Sequence, residues 1–279
     1  MEGPLKKNDV ALIGLCSDSN SSFMKGPAEA PAKIREVMHN GSANLVSELG
    51  VDLNQNSRFV DLGDREIGPG PDALMEIEKH IAEILDNGAL PLSLGGDHAI
   101  TYPIMRAIHA RHGPVGILHF DAHPDLYDEY DGNPLSNACP FARIMENRLA
   151  SRLVQVGIRA QNAHQKEQAK RFGVETCEMR NFDPTSFTPD FSGPVYLTID
   201  LDVLDPAYAP GVSHHEPGGL SVRMLIDIIH RMEGTVIGAD IVCYNPRRDI
   251  NDMTAMVAVK LLKEVAGRML SDNIQASSP

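Results

Sequence analysis

Short apolar runs recur along this chain, and nearly all are followed by a segment with helical spacing. Residues 10–15, 58–63, 90–94, 115–118, 153–157, 195–202 and 235–242 read as strands. The runs that are apolar throughout and rich in β-branched residues read as strands buried on both faces. Residues 27–39, 73–85, 141–149, 163–172, 222–232 and 254–269, with a further segment ending at Arg111, read as helices. Asp72 is expected to cap the second of these, and Asn251 or Asp252 the last. Alternation of this kind predicts one three-layer α/β/α domain across residues 1–279, with a mostly parallel central sheet. The polar residues 271–279 are read as a mobile tail.

Open parallel sheets put their binding sites beyond the carboxyl ends of the strands. The run Val115-Gly-Ile-Leu118 leads into His119-Phe-Asp121-Ala-His123-Pro-Asp125. Asp121, His123 and Asp125 fall at every second position and emerge on one side of the chain. Asp200 and Asp202 repeat that spacing at the end of another strand, and His98 follows a Gly95-Gly96 turn. Four carboxylates converging on one rim need cationic partners. Two divalent ions would neutralise the four. A majority of hard oxygen donors suits manganese, although the affinity order allows nickel, cobalt or zinc in its place. A pair of such ions can activate water at neutral pH, so the spacing points to metal-assisted hydrolysis of a planar, electrophilic carbon.

Composition narrows the partners. A net charge of −13 with no Lys/Arg cluster argues against nucleic acid. No apolar run approaches the roughly 18 residues of a membrane span. The four cysteines, Cys16, Cys139, Cys177 and Cys243, lie far apart and form no CxxC pair, which fits a reducing compartment. The polar N-terminus lacks the apolar core of a signal peptide. The cytoplasm is the expected location, or an organelle if a transit peptide has been removed.

Three stretches carry a resemblance: Gly95-Gly-Asp-His98, Asp121-Ala-His-Pro-Asp125 and Asp200-Leu-Asp-Val-Leu-Asp-Pro206. They resemble the metal motifs of the arginase/agmatinase (ureohydrolase) family. Residues 210–220, Asn245-Pro-Arg-Arg-Asp249 and Met253-Thr-Ala-Met256 look most like its plant-type arginases. The resemblance implies two manganese ions held by His98, Asp121, His123, Asp125, Asp200 and Asp202. It implies a shared hydroxide, oriented by Asp125, that attacks a guanidinium carbon and releases urea and an amine. It also implies a small guanidino substrate and a homo-oligomer, a trimer or hexamer.

Two positions depart from the family pattern. Asn137 stands where a proton-shuttling histidine is usual, and an amide cannot transfer a proton at a useful pKa. Cys243 stands where a glutamate pairs with the guanidinium. Three readings follow. One is a hydrolase of a modified substrate, such as an N-hydroxyguanidine or an arginine side chain in a peptide, or of a formimidoyl or amide C–N bond. Another is an ordinary arginase or agmatinase in which His214 or His215 relays the proton. The third is a metal-binding partner subunit without catalysis. Asn137, Cys243, His214 and Glu216 are the candidate substrate contacts, and loops 17–26 and 127–140 the candidate specificity segments. Asp97 is read as orienting His98 or capping the following helix. His119 is placed on the face opposite Asp121, in the core or behind the ligands.

Overall fold

The computed structural model describes residues 4–70 and 72–275. Its centre is an eight-stranded sheet, and every pairing within it is parallel. The strands are β1 (Val10–Cys16), β2 (Phe59–Glu66), β3 (Leu90–Gly95), β4 (Val115–Phe120), β5 (Ala150–Ile158), β6 (Glu175–Glu178), β7 (Asp190–Asp200) and β8 (Glu233–Val242). They lie in the order β2-β1-β3-β8-β7-β4-β5-β6. β1, β3 and β4 are buried at every residue, the condition that demands uninterrupted apolar sequence.

The helices are α1 (Ala30–His39), α2 (Ala73–Asp86), α3 (Thr101–His112), α4 (Pro140–Glu146), α5 (Ala163–Phe172), α6 (Val222–Arg231) and α7 (Met253–Gln275). They pack in two groups, α1 and α6 against α7, and α2 to α5 in succession, so the sheet has a helical layer on each side. The three-layer expectation holds, with the sheet parallel throughout.

Several local expectations change. α2 starts where expected, but Asp72 itself has helical backbone and its side chain makes no capping bond. The last helix is not capped by Asn251 or Asp252, whose backbones are left-handed, with φ of 49° and 60°. Asp249 caps it from further back, accepting from Thr254 N at 2.9 Å and Ala255 N at 3.0 Å. Of the tail read as mobile, residues 271–275 belong to α7, and 276–279 lie outside the described residues. Among the described residues no helix is long and apolar enough to cross a membrane.

Candidate metal centre

Four neighbouring strands in the middle of the sheet, β3-β8-β7-β4, deliver the candidate residues from their carboxyl ends. β3 ends in the Gly95-Gly96 turn, where a Cβ on Gly96 would come within 1.6 Å of the Ser17 carbonyl oxygen. Only glycine lets the end of β1 press so close, and that contact sets the start of the turn carrying His98. Asp97 caps that turn by accepting from Ala99 N at 3.1 Å. Its other oxygen accepts from Asn20 N at 3.1 Å and Ser21 Oγ at 3.0 Å, which fixes loop 17–26. Burial pushes this carboxyl up to about 6.

All six residues named from their spacing converge. His98 Nδ1 lies 3.1 Å from Asp121 Oδ2, 3.2 Å from Asp125 Oδ2 and 3.4 Å from Asp200 Oδ2. His123 Nδ1 lies 3.3 Å from Asp121 Oδ1 and 3.1 Å from Asp202 Oδ2. Asp121 therefore joins an inner group around His98, which is wholly buried, to an outer group around His123, whose side chain is 24% exposed. His98 Nδ1 is a buried polar atom with no hydrogen-bond partner. An orphaned imidazole nitrogen facing three carboxylates is the donor arrangement a divalent cation satisfies, so the residues present fit such an ion.

The electrostatics agree. Burial alone would depress both histidines, yet the carboxylates raise His98 well above its usual value and His123 to about 12. Burial and the neighbouring Asp202 and Asp121 push Asp200 far up, and burial with Asp121 pushes Asp125 to about 6. Burial would raise Asp121, yet His119, His123 and His98 beside it hold it well below the carboxylate range.

Behind the cluster, buried partners fix each imidazole. Thr198 Oγ1 gives its proton to Asp240 Oδ1 at 2.6 Å, and so accepts from His98 Nε2 at 3.0 Å. That fixes Nε2 as a donor and leaves Nδ1 as the nitrogen that can take up a proton or bind an ion. Asp240, buried in β8, also accepts from Thr101 Oγ1 at 2.8 Å and Tyr196 OH at 2.7 Å. His119 does not lie on the face opposite Asp121. Residues two apart on a strand share a side, and His119 Nε2 lies 2.9 Å from Asp121 Oδ2. Gln155 Nε2 donates to His119 Nδ1 at 3.0 Å, so the histidine donates from Nε2. Burial lowers His119 to about 4, in keeping with a neutral ring behind the ligands.

A cavity of about 340 Å³ opens over the outer group, and Asn137, His214, Glu216 and Cys243 all line it. Asn137 Oδ1 accepts from Ser22 N at 2.8 Å and Ser136 Oγ at 3.3 Å. The ring of His214 is centred 5.7 Å from that of His123. His215 does not reach the cavity. Its Nε2 lies 2.7 Å from the Pro210 carbonyl and its Nδ1 3.2 Å from Arg248. The two loops named as specificity segments contribute Ser22, Tyr127 and Tyr130. Gln161, Asn162 and Gln165, just beyond β5, also line the cavity and were not anticipated. Their one signal was position, after the carboxyl end of a strand. Arg159, on the same segment, donates to the carbonyls of Asp202 and Glu216, each at 2.6 Å, tying together the loops after β5 and β7.

Known proteins share both the sequence pattern and the fold. The model of the arginase family matches residues 8–267. The chain is 46% identical to arginase 2, chloroplastic/mitochondrial, of Arabidopsis thaliana, over 94% of this chain and 81% of that protein. It is 34% identical to the agmatinase of Bacillus subtilis, over 92% of this chain and 90% of that one. The solved arginase of Medicago truncatula superimposes with a TM-score of 0.89 at 42% identity, covering 93% of this chain and 87% of that chain. The proclavaminate amidino hydrolase of Streptomyces clavuligerus gives a TM-score of 0.84 at 26% identity, covering 96% and 93%. With the fold, the converging motifs and these similarities together, the chain belongs to the arginase family of metal-dependent ureohydrolases.

Proposed function

We propose that this protein is a two-metal hydrolase that cleaves a guanidino C–N bond to urea and an amine, and that its preferred guanidine is modified. The observation that carries the proposal is the convergence of six donor residues, with Asp121, Asp125 and Asp200 facing the orphaned His98 Nδ1 and Asp121 and Asp202 facing His123. His98, Asp121, Asp125 and Asp200 would hold one divalent cation, and His123, Asp121 and Asp202 the other. Carboxylate oxygens outnumber the imidazole nitrogen in both sets, which favours manganese. When bound, the pair supplies Lewis acidity and an activated water.

The chain's own residues supply the rest. Asp125, buried beside the cavity, orients the attacking water and takes its proton. His214 is kept below its usual pKa, first by burial and then by His123, and so stands neutral at the cavity as a proton carrier. Because Asn137 Oδ1 is occupied by Ser22 N, the amide offers only its Nδ2 protons to a bound substrate. Cys243 brings no negative charge to a guanidinium. A substrate with a better leaving group or a less cationic amidine needs neither the missing acid nor the missing anion. An N-hydroxyguanidine, whose cleavage gives a hydroxylated urea, meets that description, and an unmodified guanidinium does not.

The test is product release by manganese-loaded protein from arginine, agmatine, guanidinobutyrate, N-hydroxyarginine, an arginine peptide and a formimidoyl amino acid. Fastest turnover of N-hydroxyarginine is the expected result, and fastest turnover of the formimidoyl amino acid would overturn the guanidino assignment. Preference for arginine or agmatine would overturn the substrate assignment. Silence on all, with metal bound, would leave the partner-subunit reading.

A further inference from the structure

Cys243 has more around it than a missing glutamate requires. β8 ends at Val242, and the Cys243 backbone is left-handed, with φ of 65°. Its N–H donates to the Gly96 carbonyl at 2.8 Å, which seats the residue against the turn that carries His98. The consequence is a compact donor set. Cys243 Sγ, a nitrogen of His98 and a carboxylate oxygen of Asp200 all lie within 4.8 Å of one another. His98 is fully buried, and its Nδ1 has no hydrogen-bond partner. An ion at about 2.0–2.3 Å from each donor needs donors no more than roughly 4.6 Å apart, and a set gathered within 4.8 Å is close enough for one ion to be shared.

We propose that Cys243 Sγ is itself a ligand of the inner ion, sharing it with His98 and Asp200. The inference rests on the metal centre proposed above and changes its chemistry. On binding, the Sγ–H bond breaks, its proton passes to bulk water, and a sulfur–metal bond forms without any change of oxidation state. Thiolate is a soft donor, so the inner position selects zinc or cobalt over manganese, while the outer position keeps its oxygen-rich preference. The two positions of one centre then prefer different metals.

The probe is cobalt(II), added to the metal-free full-length protein and followed by absorption. A sulfur ligand gives an intense sulfur-to-cobalt charge-transfer band in the near ultraviolet, which oxygen and nitrogen donors do not produce. The band is expected in the native protein and in a variant with Cys16, Cys139 and Cys177 replaced by alanine. It is expected to vanish in both Cys243→Ser and Cys243→Glu, so the test survives if one of them fails to fold. In competition titrations, Cys243→Ser should lose zinc affinity relative to manganese by at least the roughly 10–100-fold that follows loss of an outer partner. Cobalt bound without the band, or a band that persists in Cys243→Ser, overturns the inference and leaves the metal centre standing. Failure of the native protein to hold cobalt, zinc or manganese overturns both.

Discussion

Thr198 Oγ1 sits 3.0 Å from His98 Nε2 and 2.6 Å from Asp240 Oδ1, so the carboxylate of a buried strand residue decides which nitrogen of His98 is free. Thr198 and Asp240 are register partners on β7 and β8, and the relay is therefore built into the sheet. Replacing Thr198 by valine keeps the shape and removes the acceptor. Thr198→Val should weaken metal binding about 10–100-fold, with Thr198→Ser close to native. Equilibrium dialysis against a metal buffer measures this, and equal affinities for all three would contradict the relay.

Metal uptake should release protons. Without cations His98 is raised well above its usual value and His123 to about 12, so both hold protons at neutral pH. An ion must displace them, so affinity rises with pH and falls as the solution is acidified. Calorimetry in two buffers of different ionisation enthalpy reads the protons released. Heats independent of the buffer would contradict the account.

The Gly96 turn carries a steric prediction. Gly96→Ala would set its Cβ 1.6 Å from the Ser17 carbonyl oxygen, a backbone atom that can yield only if β1 or the turn moves. The expected cost is about 1–3 kcal/mol of stability, with weaker metal binding because His98 moves too. Denaturant unfolding with and without metal separates the two effects. Native stability in the variant would show that the turn has slack.

Asn137→His reinstates a titratable group at the cavity wall. Turnover of an unmodified guanidine should rise toward the roughly 10²–10⁴-fold that a general acid supplies. No gain in kcat on arginine or agmatine would mean that Asn137 does not limit the reaction.

Much of the metal cluster was legible because its signals are local. Asp121, His123 and Asp125, and Asp200 and Asp202, declare themselves by a spacing of two after apolar runs. The partners behind them are not local. Thr198, Asp240 and Gln155 look like ordinary strand residues, and only the strand order brings them against His98 and His119. Gln161, Asn162 and Gln165 share that problem. β6, Glu175-Thr-Cys-Glu178, is too short and polar to be read as a strand. The first half of β7 contains Gly193 and Pro194, which hid five residues of a strand that begins at Asp190. Asn251 and Asp252 resemble caps in sequence, but their left-handed backbones hand the role to Asp249.

The most direct test counts ions by native mass spectrometry. The donor set predicts two divalent ions per chain, and one each in His98→Ala and His123→Ala, since each variant removes the histidine of one position. A native chain that holds a single ion, or variants that both keep two, would contradict a centre built from an inner and an outer group.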